Sequence, residues 1–107
     1  MTMPTNLEMH RMLCLSTAHI SHDTRDKLDA VCDFNATNGT SDLVVFEKYG
    51  FGWFLPVDVN LQAHDEGHIE NMPDDLVEAL RFAYRQGADW LMLDCDGPVT
   101  EQLKDYR

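Results

Sequence analysis

The apolar positions of this chain change period several times, and each change marks an element. Met12-Leu13-Cys14-Leu15-Ser16-Thr17-Ala18-His19-Ile20 is the first strand signal and predicts a central strand. From Ser21 the period lengthens, with Leu28, Val31, Cys32 and Asn35 at helical spacing. Ser21 or Asp23 caps this helix, Asp23 and Asp26 complement the dipole of its first turn, and it ends near Asn35. Asn35 to Asp42 is loop chemistry. Leu43–Tyr49 and Trp53–Val57 read as strands joined by Gly50-Phe51-Gly52, a hairpin. Pro56 cannot donate to a ladder and belongs at a strand end or an outward-facing edge. Asp58 to Asn71 shows no period, so residues 58–72 are expected to form a long acidic loop. Pro73 opens a second helix with a buried stripe of Leu76, Leu80, Ala83 and Tyr84, and Gly87 ends it. Trp90–Cys95 is the last strand, broken by Gly97-Pro98, and residues 98–107 form a tail that is tied down.

The predicted order is β-α-β-β-α-β. It implies an α+β two-layer sandwich, ferredoxin-like or related, with a four-stranded sheet and two helices on one face. The 107 residues and 44% hydrophobic content suit one domain with its own core, preceded by a polar lead-in over residues 1–11. Trp53, Trp90, Phe54, Phe46 and Tyr84 are assigned to that core, as are Cys14 and Cys95.

Charge changes the picture more than composition does. Nineteen acids face eight bases, for a net charge of −11. Such a surface repels phosphate backbones and anionic lipid, so direct nucleic-acid and membrane binding are excluded as expectations. No Lys or Arg occurs between Lys48 and Arg81, while Asp58, Asp65, Glu66, Glu70, Asp74, Asp75 and Glu78 fall in that gap. Asp26, Asp29 and Asp33 follow Asp23 at spacings that share one helix face. Acids so spaced have Cβ atoms about 5–6 Å apart, close to the phosphate spacing along one strand. The expected partner is a protein with a basic nucleic-acid-binding surface. Phe51, held between two glycines at a turn, is the expected apolar anchor. A merely solvated acidic surface, or adaptation to salt, is the plainer alternative.

Chemistry-bearing clusters are fewer. Ser16, Thr17 and His19 combine hydroxyls with an imidazole, but Ser16 and His19 diverge in an extended strand. In a ferredoxin-like sheet the first and last strands run antiparallel, which separates His19 from Asp94; a parallel pair would bring their ends together. His64 and His68, four apart beside Asp65, Glu66 and Glu70, suit a metal only on a helix, and Gly67 argues for a loop. Leu91 to Gly97 ends in Asp94-Cys95-Asp96-Gly97, which is similar to the first motif of haloacid-dehalogenase-like phosphatases. Pro98 departs from that pattern, and residues 98–107 are too few to supply that family's remaining catalytic groups. The competing functional reading is thus a small metal-assisted hydrolase using Asp94 and Asp96, with His19 as a possible third member. Three widely spaced cysteines, Cys14, Cys32 and Cys95, imply neither a disulfide framework nor a zinc knuckle. With no signal-peptide pattern in Met1–Arg11, they place the chain in the reducing cytoplasm. No cofactor is expected.

Leu15-Ser16-Thr17-Ala18-His19-Ile20, Gly50-Phe51-Gly52-Trp53-Phe54, and Gly87-Ala88-Asp89-Trp90-Leu91 running into Asp94-Cys95-Asp96-Gly97 occur in that order. Together they resemble a family of small bacterial proteins, a domain of unknown function carried on plasmids and mobile elements. The resemblance implies no activity. It implies a mobile-element setting, in which small acidic proteins antagonise host defence. The expectation is therefore a non-enzymatic inhibitor of a restriction or CRISPR complex, acting as a nucleic-acid mimic or steric blocker through Asp26, Asp29, Asp33, Phe51, Asp65, Glu66, Glu70, Asp74, Asp75 and Glu78.

Overall fold

The computed structural model describes residues 7–38, 42–69 and 71–107. β1 (Met12–Ser16) leads through a single 3-10 turn (Thr17–His19) into α1 (His22–Asn38). β2 (Phe46–Glu47) and β3 (Gly52–Pro56) follow, then α2 (Val57–Asp65), α3 (Asp74–Arg85) and β4 (Trp90–Asp94). The sheet order is β1-β4-β3-β2. β3 is antiparallel to both β2 and β4, whereas β1 runs parallel to β4, with Ser16 opposite Asp94. The fold is α+β: a four-stranded mixed sheet with three helices. The parallel β1–β4 pair differs from the antiparallel outer pairing expected, and β1 lies at the sheet edge rather than at its centre.

Alternation along the strands decides which face is covered. Leu15, Leu91, Leu93, Trp53 and Leu55 join Leu28, Leu61, Leu76 and Leu80 of the helices in one core. Full burial of a leucine contributes roughly 1.5–3 kcal/mol. Met12, Phe46, Phe54 and Trp90 occupy the intervening positions and line an apolar depression on the opposite face. Phe46 is 53% exposed and its ring stands 6.0 Å from that of Trp90. The expectation that these aromatics are core therefore holds for Trp53 alone among the tryptophans. Tyr84 is 61% exposed; it sits about 40° around the helix past Leu80, beyond the edge of the buried stripe. Cys14 is half-buried and Cys95 exposed, because the strand ends at Asp94.

The expected loop over 58–72 is instead mostly α2. Its buried residues are Val57, Asn60 and Leu61, at helical spacing but with a polar residue in the stripe. Asn60 is fully buried. Its amide nitrogen donates to the carbonyls of Val44 and Pro56 at 2.8 and 2.9 Å, and its Oδ1 accepts from the Val44 N–H at 2.8 Å. One side chain thus imitates a neighbouring strand for Val44, where β2 has not yet begun pairing.

α1 begins as expected, with the Thr24 N–H donating to Ser21 Oγ at 3.2 Å. α3 ends on Gly87, whose φ of +79° is the left-handed conformation of a helix stop. The tail is held down: the Ser16 N–H donates to the Pro98 carbonyl and the Tyr106 N–H to the Ala18 carbonyl, both at 2.8 Å. No described helix is long and apolar enough to cross a membrane.

Candidate functional site

α1 and the β2–β3 hairpin enclose a recess of about 300 Å³. Asp29, Cys32 and Asp33 line it from α1, and Glu47, Gly50, Gly52 and Trp53 from the hairpin. Helical spacing puts the α1 residues on one face, with Asp26 exposed a turn earlier. The antiparallel register puts Glu47 opposite Trp53, so both point toward α1 while Phe46 points away. The acids are exposed at the rim and Trp53 is buried at the floor.

The electrostatics follow from this crowding. Burial pushes the Cys32 thiol up to about 11, with Glu47, Asp29 and Asp33 adding to the effect. The thiol resists ionising chiefly because it is partly withdrawn from water, and the three carboxylates add to that. No Lys or Arg is among its lining residues.

The hairpin turn stands beside this recess. Tyr49 is 93% exposed at φ 44°, and Phe51 is 56% exposed between the two lining glycines. The hairpin turn carrying Phe51 thus lies next in sequence to glycines that line the recess with Asp29 and Asp33, and Glu47, which the sequence reading did not single out, lines it as well. Glu47 was legible in principle: pairing it with Trp53 across the hairpin would have turned it toward the helix.

The second acidic group disperses. A larger depression of about 530 Å³ between α2 and α3 includes Asp58, Asp65, Glu66 and Arg81. Arg81 donates to Asp65 at 2.7 Å, inside the span of acids. Glu66 accepts from Gln62 at 3.2 Å and lies 3.2 Å from His68. Asp74 and Glu78 are exposed on α3, and Glu70 lies outside the described residues. Asp75 does not face a partner at all. It is buried and accepts from the Ser21 N–H at 2.6 Å, from the Thr24 hydroxyl, and from the Leu76 N–H at 2.9 Å. It joins the starts of α1 and α3.

Parallel pairing does bring the ends of β1 and β4 together, yet no dyad forms. His19 is buried one 3-10 turn beyond β1. Its Nε2 accepts from the Thr100 N–H at 3.0 Å, so its Nδ1 donates to the Lys104 carbonyl at 2.9 Å. Both ring nitrogens hold the tail. Asp94 pairs with the Lys48 ammonium on Oδ2, and its Oδ1 accepts from the Asp96 N–H at 2.8 Å. Lys48 holds the Asp94 carboxyl below the usual carboxylate range, and the pair raises Lys48. Gly52, opposite Asp94 on the strand between, has no side chain to intervene; a Cβ there would fall 1.7 Å from the Leu93 carbonyl oxygen. Ligating atoms of Asp94, Cys95 and Asp96 lie within 4.8 Å of one another, but a cation there would compete with Lys48. His64 and His68 join no such group among the described residues.

A family model described as a family of unknown function (DUF5983) C-terminal domain matches residues 12–107, and the chain belongs to that family. No curated protein and no solved structure matches the chain.

Proposed function

We propose, from membership of a family whose function is unknown, that this chain is a binding module without catalytic activity. It engages the basic surface of a nucleic-acid-handling protein complex in the reducing cytoplasm. The recess of Asp29, Asp33 and Glu47 takes the partner's cations, Asp26 extends the charge along α1, and the exposed Phe51 and Tyr49 of the neighbouring turn add apolar contact. The observation that supports this reading is that acids from two separate elements, Asp29 and Asp33 of α1 and Glu47 of the hairpin, line one recess that has no Lys or Arg among its described lining residues. Charge alone steers association, whereas buried aromatic anchors hold it. The mobile-element setting implied by the sequence resemblance gives the concrete form: an inhibitor of a restriction or CRISPR complex that occupies the nucleic-acid channel.

The hydrolase reading has less support. His19 is committed to the tail and Asp94 to Lys48.

The experiment is capture from bacterial lysate with the wild-type chain as bait, eluted by a salt gradient. Retention of a nucleic-acid-binding complex that elutes at moderate salt, and is lost with Asp29→Lys/Asp33→Lys bait, is the expected result. Equal retention by the double variant refutes the reading.

A further inference from the structure

Among the described residues His19 is the one buried histidine, and both of its ring nitrogens engage the C-terminal tail. Nε2 accepts from the Thr100 N–H at 3.0 Å, and Nδ1 donates to the Lys104 carbonyl at 2.9 Å. A backbone N–H can only donate, so this arrangement requires the neutral ring with its proton on Nδ1. An imidazolium carries a proton on both nitrogens. In the same place it would set one N–H against another and leave the Thr100 donor without its acceptor.

The tail depends on such bonds more than on the core. The described buried members of the core cluster lie between Leu15 and Leu93, while Leu103 is only partly buried against them. Beyond the ring, the Tyr106 N–H donates to the Ala18 carbonyl at 2.8 Å. Nearer β4, the Pro98 carbonyl accepts from the Ser16 N–H at 2.8 Å, a bond between two backbone groups that do not titrate. Residues 100–107 are thus placed to leave as a unit, pivoting after Pro98, without opening the core.

The charged groups nearby do not replace the lost acceptor. The tail itself brings Glu101, Lys104, Asp105 and Arg107. Asp105 is within electrostatic reach of the ring, and Arg107 holds its carboxyl down to about 2, so it stays charged between pH 5 and pH 8. The start of α1 carries His22 and Asp23, both exposed. From α3, Asp74, Asp75 and Glu78 are within electrostatic reach of Tyr106. The exposed carboxylates attract an imidazolium only weakly through solvent, and the buried Asp75 already accepts from Ser21 and Thr24.

We propose that residues 100–107 are a pH-sensitive strap: neutral His19 latches it over the 3-10 turn that follows β1, and protonation of the ring releases it while the sheet and the core stay folded. The freed ring binds a proton that the latched ring excludes. The strap is therefore secure above the ordinary histidine value of about 6.5, and each pH unit below it raises the released fraction about tenfold.

The test is amide hydrogen exchange of the full chain by NMR, expressed as protection factors so that the intrinsic pH dependence of exchange is removed. Between pH 8 and pH 5, Thr100 and Tyr106 are expected to lose about thirtyfold in protection, while Ser16 and the β3–β4 ladder keep theirs. His19→Gln, whose side chain accepts a hydrogen bond but does not titrate, is expected to abolish that fall. The imidazole 15N shifts of His19 give a second readout that needs no variant: an Nδ1–H tautomer at pH 8, turning to imidazolium with the midpoint at which protection falls. Protection at Thr100 and Tyr106 that holds at pH 5 overturns the proposal, as does loss of the Ser16 and ladder protection in step with them. So does an undiminished fall in His19→Gln, or an Nε2–H tautomer at pH 8.

Discussion

Thr24 on α1 donates its hydroxyl to the carboxylate of Asp75 on α3, 2.7 and 2.8 Å from its two oxygens. The same carboxylate accepts from the Ser21 N–H. An acid within the longest acidic span of the sequence is therefore part of the frame. Asp75→Ala leaves the Ser21 and Leu76 N–H groups and the Thr24 hydroxyl without this acceptor, at a cost of about 2–3 kcal/mol. Urea denaturation checks this, with Asp74→Ala as the exposed neighbour that changes stability little.

Asn60 makes the same kind of prediction on the other side of the core. Its amide satisfies both backbone groups of Val44. Asn60→Ala removes three hydrogen bonds and opens a small cavity, and is expected to cost about 2–4 kcal/mol. Thermal unfolding measures it. Loss of under half a kcal/mol would show that Val44 does not depend on Asn60.

The Lys48–Asp94 pair predicts a pH dependence with a definite sign. Asp94 is held below its ordinary value of 3.8 in the folded chain. Its contribution is therefore complete above that ordinary value and fades as pH falls through the lowered one. Lys48 is raised above 10.5, so its contribution is complete below that and fades as pH rises through the raised value. Lys48→Met should flatten both limbs of a stability–pH curve measured by urea midpoint. Parallel curves for wild type and variant would contradict the pairing.

Cys32 reports on the recess without any partner. With its thiol near 11, about one molecule in a thousand carries the thiolate at pH 8. In a Cys14→Ser/Cys95→Ser background, Asp33→Asn with Glu47→Gln is expected to speed iodoacetamide alkylation of Cys32 about three- to tenfold. Burial, the larger cause, remains. An unchanged rate would mean that the carboxylates do not share one field.

The parts of this fold legible in the sequence are those in which one force acts alone. α3 has a clean apolar stripe between Pro73 and Gly87, and α1 has a hydroxyl cap at Ser21. α2 was invisible because Asn60 stands where a helix stripe calls for an apolar residue, and what makes it a core residue is a backbone partner sixteen positions away. Phe46 and Trp90 read as core because size and hydrophobicity say nothing about which sheet face the helices cover. For the site, spacing showed that Asp26, Asp29 and Asp33 share a face. It could not show that the hairpin folds back against that face and brings Glu47 and Trp53 with it. The sequence also weighted all acids equally, although Asp65 pairs with Arg81 and Asp75 is buried. Chain separation hides such pairings until the fold is known.

The central claim, that the α1–hairpin recess competes with nucleic acid for a basic channel, has a direct measurement. A captured nucleic-acid-binding complex is loaded with fluorescent duplex DNA and titrated with this chain while anisotropy is followed. Wild type and Glu66→Lys are predicted to displace the DNA at similar concentrations, whereas Asp29→Lys/Asp33→Lys needs at least tenfold more. Displacement by the double variant at the wild-type concentration would contradict the claim.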